Sequence, residues 1–173
     1  MEPSINFSIT QWLLIATVLL TGLLAGLFYG YDCSVIKGLG ALPDKMYLRS
    51  FQSIDNEILN PYFFMSFMGS LVILPICCWV CYKNGATNSL YFLVAALIIY
   101  VIGVFGVTAF GNVPLNEMLK KIDIENATAE SLSQLRNKFE TNWNRLHHIR
   151  TYASILSFLL TIISCIGIAT SKL

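Results

Sequence analysis

The stretch Thr87–Phe110, TNSLYFLVAALIIYVIGVFGVTAF, lies within 33 consecutive residues that carry no charged side chain. A helix needs about 20 apolar residues to cross about 30 Å of hydrocarbon at about 1.5 Å per residue. Three further uncharged runs, of 29, 25 and 21 residues, end before Asp32, Lys83 and Lys172. The sequence therefore predicts four transmembrane helices, over residues 8–30, 61–82, 87–110 and 151–170.

The composition agrees with a membrane protein. Of the 173 residues, 55% are hydrophobic and 12% are charged, and the mean hydropathy is +0.64. A soluble domain carries about 25% charged residues, and a disordered chain has few apolar ones. The net charge of +1 also argues against a nucleic-acid partner. We expect one all-α domain over residues 1–173. It should be an integral membrane four-helix bundle, with membrane lipid as its partner.

The charged residues lie on one side of this bundle. The two segments 32–57 and 112–150 hold 18 of the 21 charges, and four crossings place both segments on the same membrane face. They are predicted to form a polar cap. Nine of the eleven Lys and Arg residues lie in the cap, which by the positive-inside rule favours a cytoplasmic cap. We expect a multi-pass protein of the bacterial inner membrane.

The second cap segment has the pattern of two helices. Pro114 follows an Asn112 that can cap a helix, so we predict a short helix over about 114–122. Thr128 is the expected N-cap of an amphipathic helix. No Gly or Pro occurs from Thr128 to Cys165, so this helix should continue into the fourth span. Its apolar stripe recurs every three or four residues, at Leu132, Leu135, Phe139, Trp143 and Leu146.

The same stripe indicates which polar side chains point inward. Phe139, Trp143 and His147 are spaced by four residues, and Arg150 follows three residues later on that face. The adjacent His148 should point outward. A charge that faces a bundle interior normally marks a partner or a function. Two plainer interpretations stay open, an Arg150 that extends to the headgroups and a His147 that is merely a hydrogen-bonded interfacial histidine.

Other small residues in the spans have a packing interpretation first. The Cys-x-x-C spacing at Cys78 and Cys81 leaves redox or metal chemistry open, although small apolar filler is the expected role of thiols in a span. Glycine and alanine are expected to allow close helix packing at Gly22, Ala25, Gly26, Gly103 and Gly106. No span carries Asp or Glu, which argues against proton-coupled transport.

Several stretches together resemble one family. They are Gly22–Phe28 (GLLAGLF), Phe51–Pro61, Val113–Asn116 (VPLN), and a Trp-x3-His-x2-Arg pattern at Trp143, His147 and Arg150. In this order on four spans they resemble the domain of unknown function 1772 (DUF1772), whose members include anthrone oxygenases. The chain departs from the family pattern at Asp55, where the family has Asn.

The resemblance implies an oxidoreductase that converts a hydrophobic, anthrone-like phenol to a quinone with O₂, without a metal or cofactor. It implies a site with catalytic His147, Arg150 and Asn116, and with substrate contacts from Trp143, Asp55 and Phe139. His147 would be the base, Arg150 and Asn116 would stabilise an oxyanion, and Trp143 would stack on the ring. Asp55 is expected to orient His147 or to pair with Arg150.

Three alternatives remain beside the enzyme. The chain fits a non-enzymatic tetraspan scaffold or accessory subunit, in which the inward residues tie the cap to the bundle. It also fits a passive lipid- or quinone-binding protein. A haem or metal site with His147 or His148 as ligand is not excluded, although neighbouring residues of a helix point in different directions.

Overall fold

Each helix begins or ends where the sequence supplies the local signal for it. Asn60 caps the helix that begins at Pro61, because its Oδ1 accepts a hydrogen bond of 3.1 Å from Phe63 N. Thr128 Oγ1 accepts one of 3.3 Å from Ser131 N, which confirms Thr128 as a cap. Gly85 takes a positive φ of 69° in the tight turn between two spans.

A computed structural model describes residues 8–170 of the chain as five continuous helices. Residues 1–7 and 171–173 of the predicted single domain lie outside the described residues. The helices are α1 (Ile9–Gly40), α2 (Asp44–Glu57), α3 (Pro61–Lys83), α4 (Thr87–Lys120) and α5 (Ala129–Thr170). All except α2 are long and apolar enough to cross a membrane, which confirms the all-α, four-span prediction.

Two helices run past their predicted ends. α1 continues beyond residue 30 through a π-helical turn at Tyr31–Val35, and α4 continues beyond residue 110 through another at Thr108–Asn112. The expected N-cap at Asn112 is therefore wrong, since its φ of −67° and ψ of −43° are helical and its side chain caps nothing. In a π-helical turn a backbone N–H bonds to the carbonyl five residues earlier, as Val113 N does to Thr108 O. Pro114 has no N–H to donate to the carbonyl four residues earlier, and it directly follows this turn.

Small hydroxyl side chains line the inside of the bundle. Ser164 Oγ donates to Ser89 O (3.0 Å), Ser89 Oγ donates back to Ser164 O (3.1 Å), and Ser157 Oγ donates to Ala96 O (3.0 Å). Such residues let helix backbones approach closely where lipid provides no hydrophobic drive. On α5 they are buried at Thr151, Ser154, Ser157, Thr161 and Ser164.

The packing role of the small residues is confirmed at some positions only. A Cβ added at Gly103 would lie 2.6 Å from Ala153 Cβ, and one at Gly22 would lie 2.8 Å from the Phe158 ring. Gly26, by contrast, has nothing within 4 Å, so the expectation of close packing there is wrong. The buried Cys77 Sγ lies 3.0 Å from Thr17 Oγ1, in keeping with thiols as core filler.

The cap has its own apolar core and its own ion pairs. Tyr47 and Phe51 of α2 pack with Leu119 of α4 and with Phe139 and Trp143 of α5. This core joins the segments 32–57 and 112–150, so their predicted location on the same face is confirmed.

Ion pairs close the outer surface of the cap. Arg136 Nη1 lies 2.9 Å from Asp44 Oδ1, and Arg49 Nη1 lies 2.7 Å from Glu125 Oε1. The hydrogen bond from Lys45, with Arg49 nearby, holds the pKa of the Glu125 carboxyl below its usual range. These contacts add a second set of links between the two cap segments.

We expect Gly103→Ala to destabilise the bundle, because the added methyl group overlaps Ala153 on α5. Overpacking of this kind costs about 1–3 kcal/mol. Thermal unfolding of the detergent-solubilised protein should show a midpoint several degrees lower. Gly26→Ala is the matched control and should leave the midpoint unchanged or raise it, because Ala is the better helix former. Equal midpoints for the two variants would contradict the close contact at Gly103.

Candidate active site

A cavity of about 160 Å³ lies between the cap and the bundle. α2 covers it from the cap, and α1, α4 and α5 form its walls. The side chains that line it come from the parts of these helices that adjoin the cap core, among them Phe28, Tyr31, Phe51, Asp55, Thr108, Asn112, Asn116, Trp143 and Arg150. The wall thus combines aromatic rings with polar and charged groups.

Arg150 points into this cavity and does not extend to the headgroups, so its inward prediction is confirmed. Its side chain is 8% exposed, and no carboxylate within residues 8–170 forms an ion pair with it. The guanidinium carbon lies 4.4 Å from the centroid of the Phe28 ring and 5.1 Å from that of Trp143. Nη1 donates to Thr108 Oγ1 (3.4 Å). Ring faces and one hydroxyl thus stabilise a cation that keeps a free side toward the cavity.

His147 lies behind Arg150 and does not line the cavity. It is fully buried, and its ring stacks on Trp143 with centroids 4.9 Å apart. Arg150 Nε and Nη2 donate to His147 Nδ1 at 3.1 and 2.9 Å. Because Arg only donates, Nδ1 is unprotonated, and Nε2 carries the proton that it donates to Phe28 O (3.2 Å). The predicted outward direction of His148 is also confirmed, since it is half exposed and its Nδ1 lies 2.8 Å from Asp32 Oδ1.

A chain of polar contacts crosses the cavity wall from α2 to α5. Asn116 Nδ2 donates to Asp55 Oδ1, and Asn116 Oδ1 accepts from Trp143 Nε1 at 2.8 Å. The indole N–H only donates and the carboxylate only accepts, so both ends fix the orientation of the amide. Lys120 Nζ lies 2.8 Å from Asp55 Oδ2. The expected contact of Asp55 with His147 or Arg150 is therefore wrong, because two α4 side chains occupy its carboxylate.

The structure brings four of the six predicted site residues to the cavity: Arg150, Asn116, Trp143 and Asp55. His147 stands one layer back. Phe139 is fully buried and packs its ring edge-on against Phe51, with centroids 4.7 Å apart, so it supports the cavity wall from outside.

Sequence reasoning missed Tyr31, Thr108, Asn112 and Lys120, which also line the cavity or its mouth. One signal was present for two of them, Thr108 and Asn112, because they continue the spacing of the predicted Asn116. Thr108, Asn112 and Asn116 are spaced by four residues, and they are the polar side chains of one face at the end of an otherwise apolar span. Tyr31 gave no comparable signal, because it reaches the cavity through the π-helical turn that the sequence did not predict.

The mouth of the cavity is apolar on one side. Leu27, Leu59 and Val113 line the cavity and are 39%, 53% and 44% exposed. Glu117 and Lys120 lie on the other side of the mouth, on the last turn of α4. An amphipathic rim of this kind fits a site at the boundary between hydrocarbon and headgroups.

No group of three or more His, Cys, Asp or Glu side chains suited to a metal ion occurs in the part of the chain that the structure describes. The polar groups of the cavity are instead a guanidinium, amides, hydroxyls, an ammonium and a carboxylate.

Comparison with known proteins identifies the family. A family model described as anthrone oxygenase matches residues 63–160, which is more than half of the chain. The matched range contains Asn112, Asn116, Trp143, His147 and Arg150, whereas Asp55 precedes it. No curated protein and no solved structure matches the chain.

Replacing Asn116 with Leu should destabilise the protein. The change leaves the Trp143 N–H and one Asp55 oxygen buried without a partner, and each such group costs about 1–3 kcal/mol. Thermal unfolding in detergent should show a midpoint lower by several degrees. Asn142→Leu is the control, because Asn142 is exposed on α5 and bonds only to Lys138 O within its own helix. A similar loss in both variants would mean that the polar chain adds nothing to stability.

Proposed function

The chain belongs to the anthrone oxygenase family, and on that premise we propose that it oxidises an anthrone-like phenol to a quinone with O₂ at the membrane. The observation that carries this proposal is the buried Arg150 guanidinium, which faces an aromatic-walled cavity without a carboxylate partner. A buried cation without a counter-ion is costly, and an anionic ligand would supply the missing charge.

The reaction balances with the substrate and O₂ alone. Loss of a proton from the ring CH₂ gives a delocalised oxyanion that is electron-rich enough to reduce O₂. A carbon–oxygen bond then forms at that carbon, and the resulting hydroperoxide loses water to leave a carbonyl group. Anthrone plus O₂ thus gives anthraquinone plus H₂O, and the protein has to supply a base, an anion site and an aromatic pocket.

The size and rim of the cavity fit a substrate that is only partly enclosed. A cavity of about 150 Å³ in another protein holds one benzene molecule. The present volume of about 160 Å³ therefore encloses about one ring. The remaining rings of a polycyclic phenol would lie at the mouth, against Leu27, Leu59 and Val113, which suits a substrate that arrives through lipid.

Arg150 has the geometry for the oxyanion. His147 accepts from Nε and Nη2, and Thr108 accepts from Nη1. The guanidinium has five N–H donors, so some remain for a ligand. Because His147 fixes the plane of the guanidinium, we assign His147 the role of positioning Arg150. A preorganised donor is worth most where water is excluded.

For the base we favour Asp55 over His147. Asp55 lines the cavity, and its carboxylate has lone pairs beyond those that accept from Asn116 and Lys120, whereas both ring nitrogens of His147 are fully engaged, by Arg150 and by Phe28 O. The expectation that His147 is the base stays a prediction, and the proton-exchange experiment below distinguishes it from the assignment to Asp55.

We expect Arg150→Met to lower kcat/KM for anthrone oxidation about 100-fold or more, since loss of one oxyanion donor has that effect in other enzymes. O₂ consumption and quinone formation by the purified protein would be followed together. The unfolding midpoint should fall by several degrees at most, because Met removes a buried unpaired charge but leaves His147 Nδ1 without a donor. Arg49→Met is the matched control, since Arg49 is exposed on the outer surface of α2 and pairs with Glu125.

Two outcomes would count against this proposal. Full activity in Arg150→Met would remove Arg150 from the reaction. Saturable binding of anthraquinone by the unaltered protein, with no O₂ consumption in the presence of anthrone, would instead favour a passive quinone-binding protein.

Proton abstraction can be measured without the oxygen step. In deaerated D₂O the protein should catalyse exchange of the ring CH₂ protons of anthrone, followed by NMR. We expect Asp55→Asn to lower this exchange about 100-fold, within the range of general-base effects. His147→Asn should retain most of it while it weakens anion binding. The reverse pattern, with exchange lost in His147→Asn and kept in Asp55→Asn, would make His147 the base.

A further inference from the structure

Asn112 is a buried amide with one half of its hydrogen bonding unmet. Its side chain is 1% exposed, and Nδ2 donates to Trp143 O at 3.3 Å. A carbonyl oxygen only accepts, so the amide nitrogen must face it and the orientation of the amide is fixed. Oδ1 then points away from Trp143 O and has no partner within residues 8–170. Buried acceptors are nearly always paired, so this one needs an explanation.

Asn112 lines the same cavity as Arg150 and lies about one turn along α4 from Thr108, which accepts a hydrogen bond from Arg150. Arg150 Nη1 donates to Thr108 Oγ1, and Thr108 and Asn112 are four residues apart on α4, hence neighbours on one helix face. Trp143 links them a second time, because its ring lies under the guanidinium and its carbonyl binds the Asn112 amide. Both Asn112 and Arg150 line the same cavity. One wall therefore offers a cation and, one turn away, an acceptor that lacks a donor.

We propose that Asn112 is a specificity-determining residue, whose Oδ1 accepts a hydrogen bond from a hydroxyl group of the ligand that Arg150 binds. The ligand class is an aromatic oxyanion that carries a second, protonated hydroxyl on the same ring system. This inference rests on the proposed function for the occupant of the cavity, and it adds what the site selects. A phenol with one oxygen would satisfy Arg150 and leave Asn112 Oδ1 unpaired.

The energetic consequence is selectivity. A site that is built to hydrogen-bond a hydroxyl discriminates strongly against an analogue that lacks it, because the buried group of the protein is then left without a partner. Methylation of that hydroxyl is the sharpest comparison, since the ether oxygen remains and the donor is lost. Oδ1 cannot bond to an ether oxygen, because both only accept.

The test uses ligands that need no turnover. The probes are 1-naphthol and three dihydroxynaphthalenes with hydroxyls at position 1 and at position 3, 6 or 8. Each dihydroxynaphthalene is compared with the ether in which the second hydroxyl is methylated. Binding is measured under argon, from quenching of Trp143 fluorescence in protein that carries Trp12→Phe and Trp79→Phe and is reconstituted in lipid nanodiscs. Empty nanodiscs correct for partition of the probes into lipid.

For at least one isomer we expect the dihydroxy compound to bind about tenfold more tightly than its ether. In Asn112→Leu this ratio should fall below twofold, because no acceptor remains at position 112 for the ether to leave unpaired. Asn142→Leu, which changes an exposed Asn of α5, should keep the full ratio.

A ratio below twofold for every isomer in the unaltered protein would overturn the inference and leave a bound water as the partner of Oδ1. That comparison needs no variant at position 112, so it decides the matter even if Asn112→Leu does not fold. The experiment distinguishes a failure of this inference from a failure of the oxygenase proposal. If the protein consumes O₂ with anthrone but binds each ether as tightly as its dihydroxy compound, the proposed reaction stands and the role of Asn112 is rejected. If it binds the ethers more weakly but consumes no O₂, the role of Asn112 stands and the proposed reaction is rejected.

Discussion

A desolvated guanidinium next to a neutral imidazole is the interaction on which the cap of this protein depends. Arg150 Nε and Nη2 donate hydrogen bonds to His147 Nδ1, and His147 Nε2 donates one to the Phe28 carbonyl. Each contact fixes the protonation of the next, so the cation cannot pass its charge to the histidine without breaking the set. The aromatic faces of Phe28 and Trp143 supply part of the stabilisation that water would give outside the membrane. Thr108 Oγ1 supplies one more acceptor for the guanidinium.

This arrangement needs helices that do not stop at the membrane surface. Arg150 and Trp143 belong to α5, which continues for 42 residues from the cap through the bundle. α1 and α4 also continue past their apolar spans, each through a π-helical turn, and these turns carry Tyr31 and Thr108 to the cavity. Such turns widen the helix and change the direction of the side chains that follow them. The site is therefore built from the extensions of spanning helices rather than from loops, which gives it rigid walls.

The features that the sequence predicted are those that depend on a single helix. Uncharged runs gave the four spans, and the absence of Gly and Pro after Thr128 gave the continuity of α5. Helical spacing alone separated the inward His147 from the outward His148. The failures concern a join within one helix and contacts between helices. Asn112 was predicted to cap a separate helix, because the π-helical turn at Thr108–Asn112, which makes α4 continuous, has no signal that we recognised in the sequence. Asp55 was matched to the wrong partners, because the docking of α2 on Asn116 and Lys120 is decided by the cap core.

The location of the cavity also limits the chemistry that it can perform. A fully aqueous site would solvate a phenolate in water and lose most of the difference between bound and free anion, whereas a site deep in hydrocarbon would carry the full desolvation cost of the pair that Asp55 forms with Lys120. In the proposed reaction, the rings of an apolar substrate would stay against Leu27, Leu59 and Val113 while its oxygen reaches Arg150. Asp55 is paired with Lys120 near the mouth, where a proton taken from the proposed substrate would pass to solvent. The asymmetry of the cavity, with apolar side chains on one side of the mouth and a guanidinium farther in, is thus the property that suits it to the proposed oxyanion of a lipid-soluble phenol.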